Sequence, residues 1–331
     1  MMPDKILIRT PNWLGDLMMS TAFIQAVLNH YKSIQVDLIV RKGFESIPLP
    51  HRGKIIVYDK KQTSLFQFAR EIKFNKYDQI FVLPPSFSSA FMAFWSKIPK
   101  RTGYPGDGRR IWLNDQKQYK TPHRTQHLIS EYLQMLDPVP NQPYFPHLPV
   151  DGKWISTQIK LSGLNLPRNF ITIAPGAKYG PAKMWPMQSY QKLVELLSDK
   201  GIPSVILGTE DERKLGEAIT AKSKQVSNLC GKTSLLEMIA VMAKSKLLVS
   251  NDSGTMHVMS ALAKPQIAIF GSTSTVWTGP VNPLAEVITV NYKCSPCFKR
   301  TCKYQHYECL TGISPERVLG SILKIVNNEI R

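Results

Sequence analysis

Long apolar runs are missing from this chain of 331 residues. No uninterrupted apolar stretch reaches the ~18 residues a spanning helix needs, and the chain runs directly into Lys5-Ile6-Leu7-Ile8-Arg9 without the apolar segment of an export signal. A cytoplasmic protein is expected. Cysteine is scarce, five in all, and in a cytosolic chain the reducing pool disfavours disulfides. Acidic residues are also short: 24 Asp+Glu face 42 Lys+Arg, a formal net charge of +18. Such a field gathers anionic partners, and nucleic acid, anionic lipid and phosphorylated sugars all suit it. No RNA- or DNA-binding module accompanies the charge, so nucleic acid is not an expected partner. No Gly-x-Gly-x-x-Gly follows the first strand, which argues against a nicotinamide dehydrogenase. No Asp-x-Asp pair stands near a strand end to hold a catalytic metal.

What is present is alternation. Short β-branched runs at residues 5–9, 36–40, 54–58 and 79–83 are separated by helix-length amphipathic segments at 16–31 and 64–74, the pattern of a parallel sheet with helical crossovers. Five prolines between Asp137 and Pro149 then exclude helix and central strand, and mark a linker over 137–150. Beyond it the alternation resumes, with strands at 170–174, 204–207, 246–250 and 266–270. Helices are predicted at 187–200, 211–222, 235–243, 255–263 and 315–328. The fold class expected is α/β, with two doubly wound Rossmann-like domains, 1–150 and 151–331, facing across a cleft, where strand-to-helix turns carry the ligand groups.

Four such turns hold chemistry. In the first, Gly15-Asp16 opens a helix, and Asp16 is either an N-cap or a general base aimed at an attacking hydroxyl. In the second, a loop from Pro175 to Pro186 carries Gly176, Lys178, Gly180, Lys183 and Trp185. Its lysines suit a diphosphate as well as open solvent, and Trp185 suits an anchor. The third, Asn251-Asp252-Ser253-Gly254-Thr255-Met256-His257, leads a strand into a helix whose free N–H groups favour phosphate, although Asp252 equally suits a cap. The fourth, Gly208-Thr209-Glu210-Asp211-Glu212, places carboxylates where a ribose would lie, or where the first turn of a helix wants acids.

Two further segments stand apart. Residues 86–101 set aromatics at helical spacing before Lys97, Lys100 and Arg101, which fits either a helix touching a membrane interface or an aromatic core face. Arg109, Arg110, Lys117 and Lys120 extend that basic neighbourhood. Cys294, Cys297, Cys302 and Cys309 are read as reduced thiols or as a structural metal clip, and their spacing is wide for a common zinc ribbon.

These turns, in this order, resemble the bacterial lipopolysaccharide heptosyltransferases of glycosyltransferase family 9, which have the GT-B fold. The resemblance rests on Gly15-Asp16 with Ser20-Thr21, the 175–186 loop, the 251–257 run and Phe270-Gly271-Ser272-Thr273, and spans the chain. The loop and the Asp-Ser-Gly run look more like the type II enzymes, which add the second heptose. The resemblance implies an inverting transferase using ADP-heptose as donor, with no further cofactor, and the anionic lipopolysaccharide inner core (heptosyl-Kdo2-lipid A) as acceptor. It also implies a peripheral position on the cytoplasmic face of the inner membrane. Type I chemistry on Kdo2-lipid A, or a later core transfer, is the alternative. Carried over by position, Asp16 becomes the catalytic base and Lys183 the cation facing the diphosphate. Asp252, Ser253, Gly254, Thr255 and His257 become the donor site, and Glu212, with Glu210 as alternative, the ribose ligand. Trp13, Arg109 and Arg110 are the candidates for acceptor binding, while Lys178 has no counterpart in the family pattern.

Overall fold

The computed structural model describes residues 3–122, 124–221 and 223–328. Its contacts divide the chain into two units, Met1–Pro149 and Val150–Arg331. The first unit runs β1 (Lys5–Arg9), α1 (Leu14–His30), β2 (Gln35–Arg41), β3 (Ile55–Tyr58), α2 (Leu65–Lys73), β4 (Gln79–Val82), α3 (Phe87–Trp95), β5 (Lys100–Gly103), β6 (Asp115–Gln116) and α4 (Leu128–Leu133). The second runs α5 (Gly152–Ser162), β7 (Ile171–Ala174), α6 (Met187–Asp199), β8 (Ser204–Ile206), α7 (Arg213–Thr220), β9 (Val226–Asn228), α8 (Leu235–Lys244), β10 (Leu248–Asn251), α9 (Gly254–Ala261), β11 (Gln266–Ile269), α10 (Thr275–Thr278), β12 (Ala285–Ile288), α11 (Glu308–Thr311) and α12 (Pro315–Asn328).

Each unit is built on one six-stranded sheet, in the orders β3-β2-β1-β4-β5-β6 and β12-β11-β10-β7-β8-β9. All of these pairings are parallel. Counted within its own unit, each sheet has the doubly wound order 3-2-1-4-5-6. The chain therefore reverses direction between β1 and β4, and again between β7 and β10, leaving at each reversal a crevice beyond the strand ends that connections do not cover. The turns leaving β1, β7 and β10 are the three that carry Asp16, Lys183 and Asp252. Gly208 and Glu212 follow β8, the next strand over.

Central strands here are buried on both faces and so read as continuous apolar runs. Ile6, Leu7 and Ile8 of β1 and Ile171 and Ile173 of β7 are fully buried. Helix α1 is buried from Leu17 to Ile24, so it lacks the polar stripe of a surface helix. Its Ser20 and Thr21 hydroxyls are satisfied by the carbonyls of Leu17 (2.7 Å) and Met18 (2.6 Å). Thr21 Oγ1 also accepts the His147 backbone N–H (2.8 Å), tying the proline-rich segment to the first unit.

Several elements escape periodicity. β5, Lys-Arg-Thr-Gly, is a strand made largely of polar residues, and β6 and β9 are edge strands of two and three residues. The helix expected over 211–222 splits into a single 3-10 turn, Glu210–Glu212, and α7; Lys222 lies outside the described residues. No helix among the described residues is long and apolar enough to cross a membrane.

Candidate functional site

At the end of β10, Asn251 is wholly buried and works as a staple. Its Oδ1 accepts the Trp185 backbone N–H (2.9 Å) and the Tyr190 hydroxyl (3.0 Å), and its Nδ2 donates to the Pro175 carbonyl (2.6 Å). The loop after β7 is thus pinned to the end of β10, across the crossing point of the sheet. Trp185 is the anchor its position suggests: it is 1% exposed, and its indole N–H reaches the Ile313 carbonyl (3.0 Å).

Between these pins the loop presents Lys183, whose Nζ lies 2.5 Å from Asp252 Oδ2 and 4.9 Å from the Tyr179 ring centre. Asp252 is 4% exposed, and the same oxygen accepts the Thr273 hydroxyl (2.6 Å). A nearly dry carboxylate held by two donors is a fixed anchor, and the ammonium it orients keeps donors for a further anion. The reading of Asp252 as an N-cap is corrected: Ser253 caps α9, with extended backbone, and its hydroxyl pairs with Thr255 Oγ1 (2.7 Å) rather than with the helix N–H groups. Gly254 and Thr255 form the first, half-buried turn of α9, and His257 sits buried one turn in.

The cysteine segment buttresses this loop. The Arg300 carbonyl accepts the Ala182 N–H (3.0 Å), and the Phe298 carbonyl accepts the Tyr179 hydroxyl (2.7 Å). A Cβ at Gly180, where φ is +147°, would meet the Arg300 carbonyl oxygen at 2.5 Å, so only glycine lets the two strands of chain touch. The segment also holds the turn after β11, through Phe298 N–H to the Ser272 carbonyl (2.8 Å) and Ser295 Oγ to the Gly271 carbonyl (2.5 Å). Cys294, Cys297, Cys302 and Cys309 are free thiols, and Cys309 is buried in the core of the unit. No group of three or more His, Cys, Asp or Glu disposed to hold a metal ion occurs among the described residues.

The structure separates the two candidate ribose ligands. Glu212 leans back over the ends of β7 and β8: a Cβ on Gly176 would lie 1.6 Å from its Oε1, and one on Gly208 2.8 Å from its Oε2. Its Oε2 accepts the Thr209 N–H (2.7 Å), closing a capping box with the Thr209 side chain. Glu210 is instead exposed and paired with Arg213 (2.7 Å). Near Glu212, burial first and then its charge push the Cys230 thiol up to about 12.

In the first unit, Asp16 is the third residue of α1 and is half-buried, so the reading of Asp16 as the cap is also corrected: Trp13 holds the cap position, with no side-chain bond, and is 56% exposed. Burial, and after it the Asp16 charge, hold the Tyr132 hydroxyl proton far above its ordinary range. Arg109 and Arg110 part company. Arg109 is 2% exposed, its guanidinium 3.4 Å from the Val82 carbonyl at the end of β4, and burial lowers its pKa. Arg110 is exposed. Sequence reasoning missed Arg9, the last residue of β1, which is 5% exposed and donates to the Thr10 carbonyl (2.7 Å) and Asn12 Oδ1 (2.5 Å). Burial lowers its pKa to about 10. A basic residue closing an apolar strand was the available signal. Two buried guanidiniums thus stand at strand ends on either side of the first chain reversal.

The family model for glycosyltransferase family 9 (heptosyltransferase) matches residues 65–308. Over 97% of its length the chain is 30% identical to lipooligosaccharide heptosyltransferase 2 of Haemophilus ducreyi, covering 99% of that protein. It is 29% identical, over 98% of its length, to lipopolysaccharide heptosyltransferase 2 of Escherichia coli K12, covering 99% of that protein. The solved structure of E. coli ADP-heptose lipopolysaccharide heptosyltransferase II superposes with a TM-score of 0.85 at 28% identity, covering 99% of this chain and all of that one. With two doubly wound units of the GT-B class and a family match across most of its length, the chain belongs to glycosyltransferase family 9, the heptosyltransferases.

Proposed function

We propose that the protein transfers heptose from ADP-heptose to the lipopolysaccharide inner core, adding the second heptose, with inversion at the anomeric carbon. The observation that carries this reading is the Lys183–Asp252–Thr273 chain at the start of α9, fixed on a switch-point turn of a family 9 chain. The second unit holds the donor. Glu212 takes the ribose hydroxyls, and the first-turn N–H groups of α9 with Lys183 take the diphosphate. Ser253, Thr255 and His257 line the same turn and meet phosphate and sugar. Asp252 acts on the donor through Lys183, holding the ammonium in place. As the glycosidic C–O bond breaks, negative charge grows on the departing diphosphate, and Lys183 stabilises it more in the transition state than in the ground state. Asp16, from the first unit, takes the proton of the acceptor hydroxyl as its oxygen attacks the opposite face of an oxocarbenium-like centre. The exposed Trp13 and Arg110 offer stacking and cationic contacts to the anionic acceptor, while the buried Arg9 and Arg109 add only their charge from beneath. The protein works as a peripheral protein on the cytoplasmic face of the inner membrane.

The test incubates the purified protein with ADP-heptose and heptosyl-Kdo2-lipid A, without added metal, and follows ADP release and acceptor mass beside an Asp16→Ala variant. A gain of one heptose that disappears in the variant is expected. Transfer to Kdo2-lipid A alone would make the enzyme type I, and silence on both acceptors would sink the heptosyl assignment.

A further inference from the structure

Helix α3 is built inside out. Its buried residues are Ser89, Ala90, Met92 and Ala93, whereas the aromatics Phe87, Phe91, Phe94 and Trp95 lie partly or largely exposed. An ordinary surface helix puts its large apolar side chains against the core and polar ones outside, and a helix apolar all round is one whose outer face is covered by something. No charged residue interrupts α3.

The aromatic face extends beyond the helix. Ring centres link Phe66 to Trp95 (4.7 Å), Phe91 to Phe87 (5.8 Å) and to Trp112 (5.2 Å), and Phe94 to Trp112 (4.9 Å). Trp95 also meets Phe91 (5.9 Å), so the rings form a continuous band from α2 to the turn after β5. Its outer members are Phe66, 53% exposed, Phe87, 46%, and Ile111, 73%. Cations border it. Lys97 Nζ stands 5.2 Å over Phe94, and the Arg101 guanidinium 5.5 Å over the same ring, while Lys100 and Arg110 are exposed beside them. From Phe87 to Lys120 the chain carries seven basic residues and two acidic ones, Asp107 and Asp115.

We propose that this band is the docking surface for an anionic phospholipid bilayer, with the aromatics entering the acyl boundary and Lys97, Lys100, Arg101 and Arg110 meeting lipid phosphates. The charge complementarity decides the occupant. Aromatic and aliphatic side chains rimmed by cations, with few acids, match the apolar-then-anionic profile of a membrane surface. A cationic rim alone would serve any polyanion, but it gives no use for three exposed apolar side chains. The inference deepens the peripheral-membrane reading above and is independent of the heptosyl chemistry, because binding to lipid requires neither donor nor acceptor.

The experiment is cosedimentation of the full chain with vesicles of phosphatidylcholine and of phosphatidylcholine with an equal part of phosphatidylglycerol. Three proteins are compared: the parent, a Phe66→Ser/Phe87→Ser/Ile111→Ser variant and a Lys97→Glu/Lys100→Glu variant. All altered side chains are exposed, and ADP binding and the melting temperature serve as folding controls. The parent is expected to bind the phosphatidylglycerol vesicles and not the neutral ones. The charge variant should lose at least about 25-fold in affinity, from about fivefold for each cation removed. The serine variant should lose at least tenfold, with ADP binding unchanged in both. Equal vesicle binding by the serine variant and the parent would overturn the proposal. So would a concentration-dependent dimer, seen by analytical ultracentrifugation, that the serine substitutions abolish, since the band would then bury a second copy. Failure of heptosyl transfer with vesicle binding intact would leave this inference standing and remove only the activity.

Discussion

Replacing Gly176 by alanine tests the donor site through one atom. The new Cβ would lie 1.6 Å from Glu212 Oε1 and 2.2 Å from its carboxyl carbon. Ordinary contact lies near ~3.5 Å, so the carboxylate must retreat by about 2 Å. Glu212 sits at the end of a flexible side chain, so the fold survives, but the bond from the Thr209 N–H to Oε2 (2.7 Å) is lost. That capping bond contributes about 1 kcal/mol. The larger effect falls on the ligand. A hydrogen bond to a charged group contributes about 1.5–3 kcal/mol, so on the proposed ribose contact, removing the Glu212 carboxylate is expected to raise the Kd for ADP by about 10- to 150-fold. Glu212→Ala should weaken ADP as much without any clash, and Gly176→Ala/Glu212→Ala should bind ADP like Glu212→Ala alone. Calorimetric titration with ADP, alongside thermal melts, reads both quantities. Parent-like ADP affinity in Gly176→Ala would refute the placement of the ribose, and so would multiplicative losses in the double variant, which would mean that the two residues act separately.

Other perturbations isolate the remaining parts. Asp16→Asn should lower kcat by about 10²- to 10⁴-fold and leave the ADP Kd unchanged, a split that steady-state kinetics with titration resolves. Lys183→Met removes the cation proposed to stabilise the leaving diphosphate and should cost about 10²- to 10³-fold in kcat. It also strands Asp252, which is 4% exposed, and each of Lys183→Met and Asp252→Asn should destabilise the second unit by about 3 kcal/mol. The double variant should be more stable than the sum of those losses, and full additivity in denaturant melts would mean that the pair is not coupled. Tyr77→Phe deletes a buried donor to Asp37, whose carboxylate keeps the Gln35 amide (2.9 Å) and the Lys54 N–H (2.7 Å), so a loss of about 1–3 kcal/mol is expected on chemical denaturation. Cysteine chemistry should be ordered by environment. At Cys302 burial raises the pKa, but the backbone N–H groups of residues 304–307 outweigh it and hold the thiol below its ordinary value, while burial pushes Cys309 up to about 11 and Cys230 to about 12. Because the thiolate is the nucleophile, graded iodoacetamide followed by peptide mass mapping should modify Cys302 at a lower pH than either buried thiol; earlier labelling of Cys230 would contradict that ordering.

The fold was legible because its central strands are buried on both faces and its crossovers are helical, a combination that writes itself as short apolar runs spaced by helix-length segments. The predicted strand at residues 5–9 and helix over 315–328 agree residue for residue with β1 and α12. What stayed hidden were the sheet edges. β5 pairs with β4 through a parallel backbone ladder and one buried side-chain bond, Gln79 Nε2 to Thr102 Oγ1 (3.0 Å), and its Lys100 and Arg101 side chains read as part of a basic surface, which they also are. A strand of two residues such as β6 has no periodicity to detect. The aromatic segment 86–101 was legible as chemistry but not as topology, since aromatics at helical spacing describe a core face and an exposed face equally. Only the burial of Ser89, Ala90 and Ala93 in place of the aromatics separates the two.

The three acids singled out at helix starts show where sequence reasoning stops. Asp16, Glu212 and Asp252 each follow a strand by a few residues, and a carboxylate in that position always has the first-turn N–H groups as an available partner. What tells them apart is which groups donate to them, and those groups come from elsewhere in the chain. Glu212 takes the cap bond yet is also pressed against Gly176, a residue of another turn. Asp252 leaves the capping to Ser253 and is claimed by Lys183, 69 positions away, and by Thr273, 21 positions on. This has an electrostatic consequence for the donor. An unpaired carboxylate beside a diphosphate would repel it by several kcal/mol in a site of low effective dielectric, whereas one already neutralised by an ammonium and a hydroxyl costs little. In the proposed donor site, what then faces the diphosphate is the open end of α9 and the remaining donors of Lys183. An aspartate that looks misplaced beside an anion site therefore becomes the part that aims its cation.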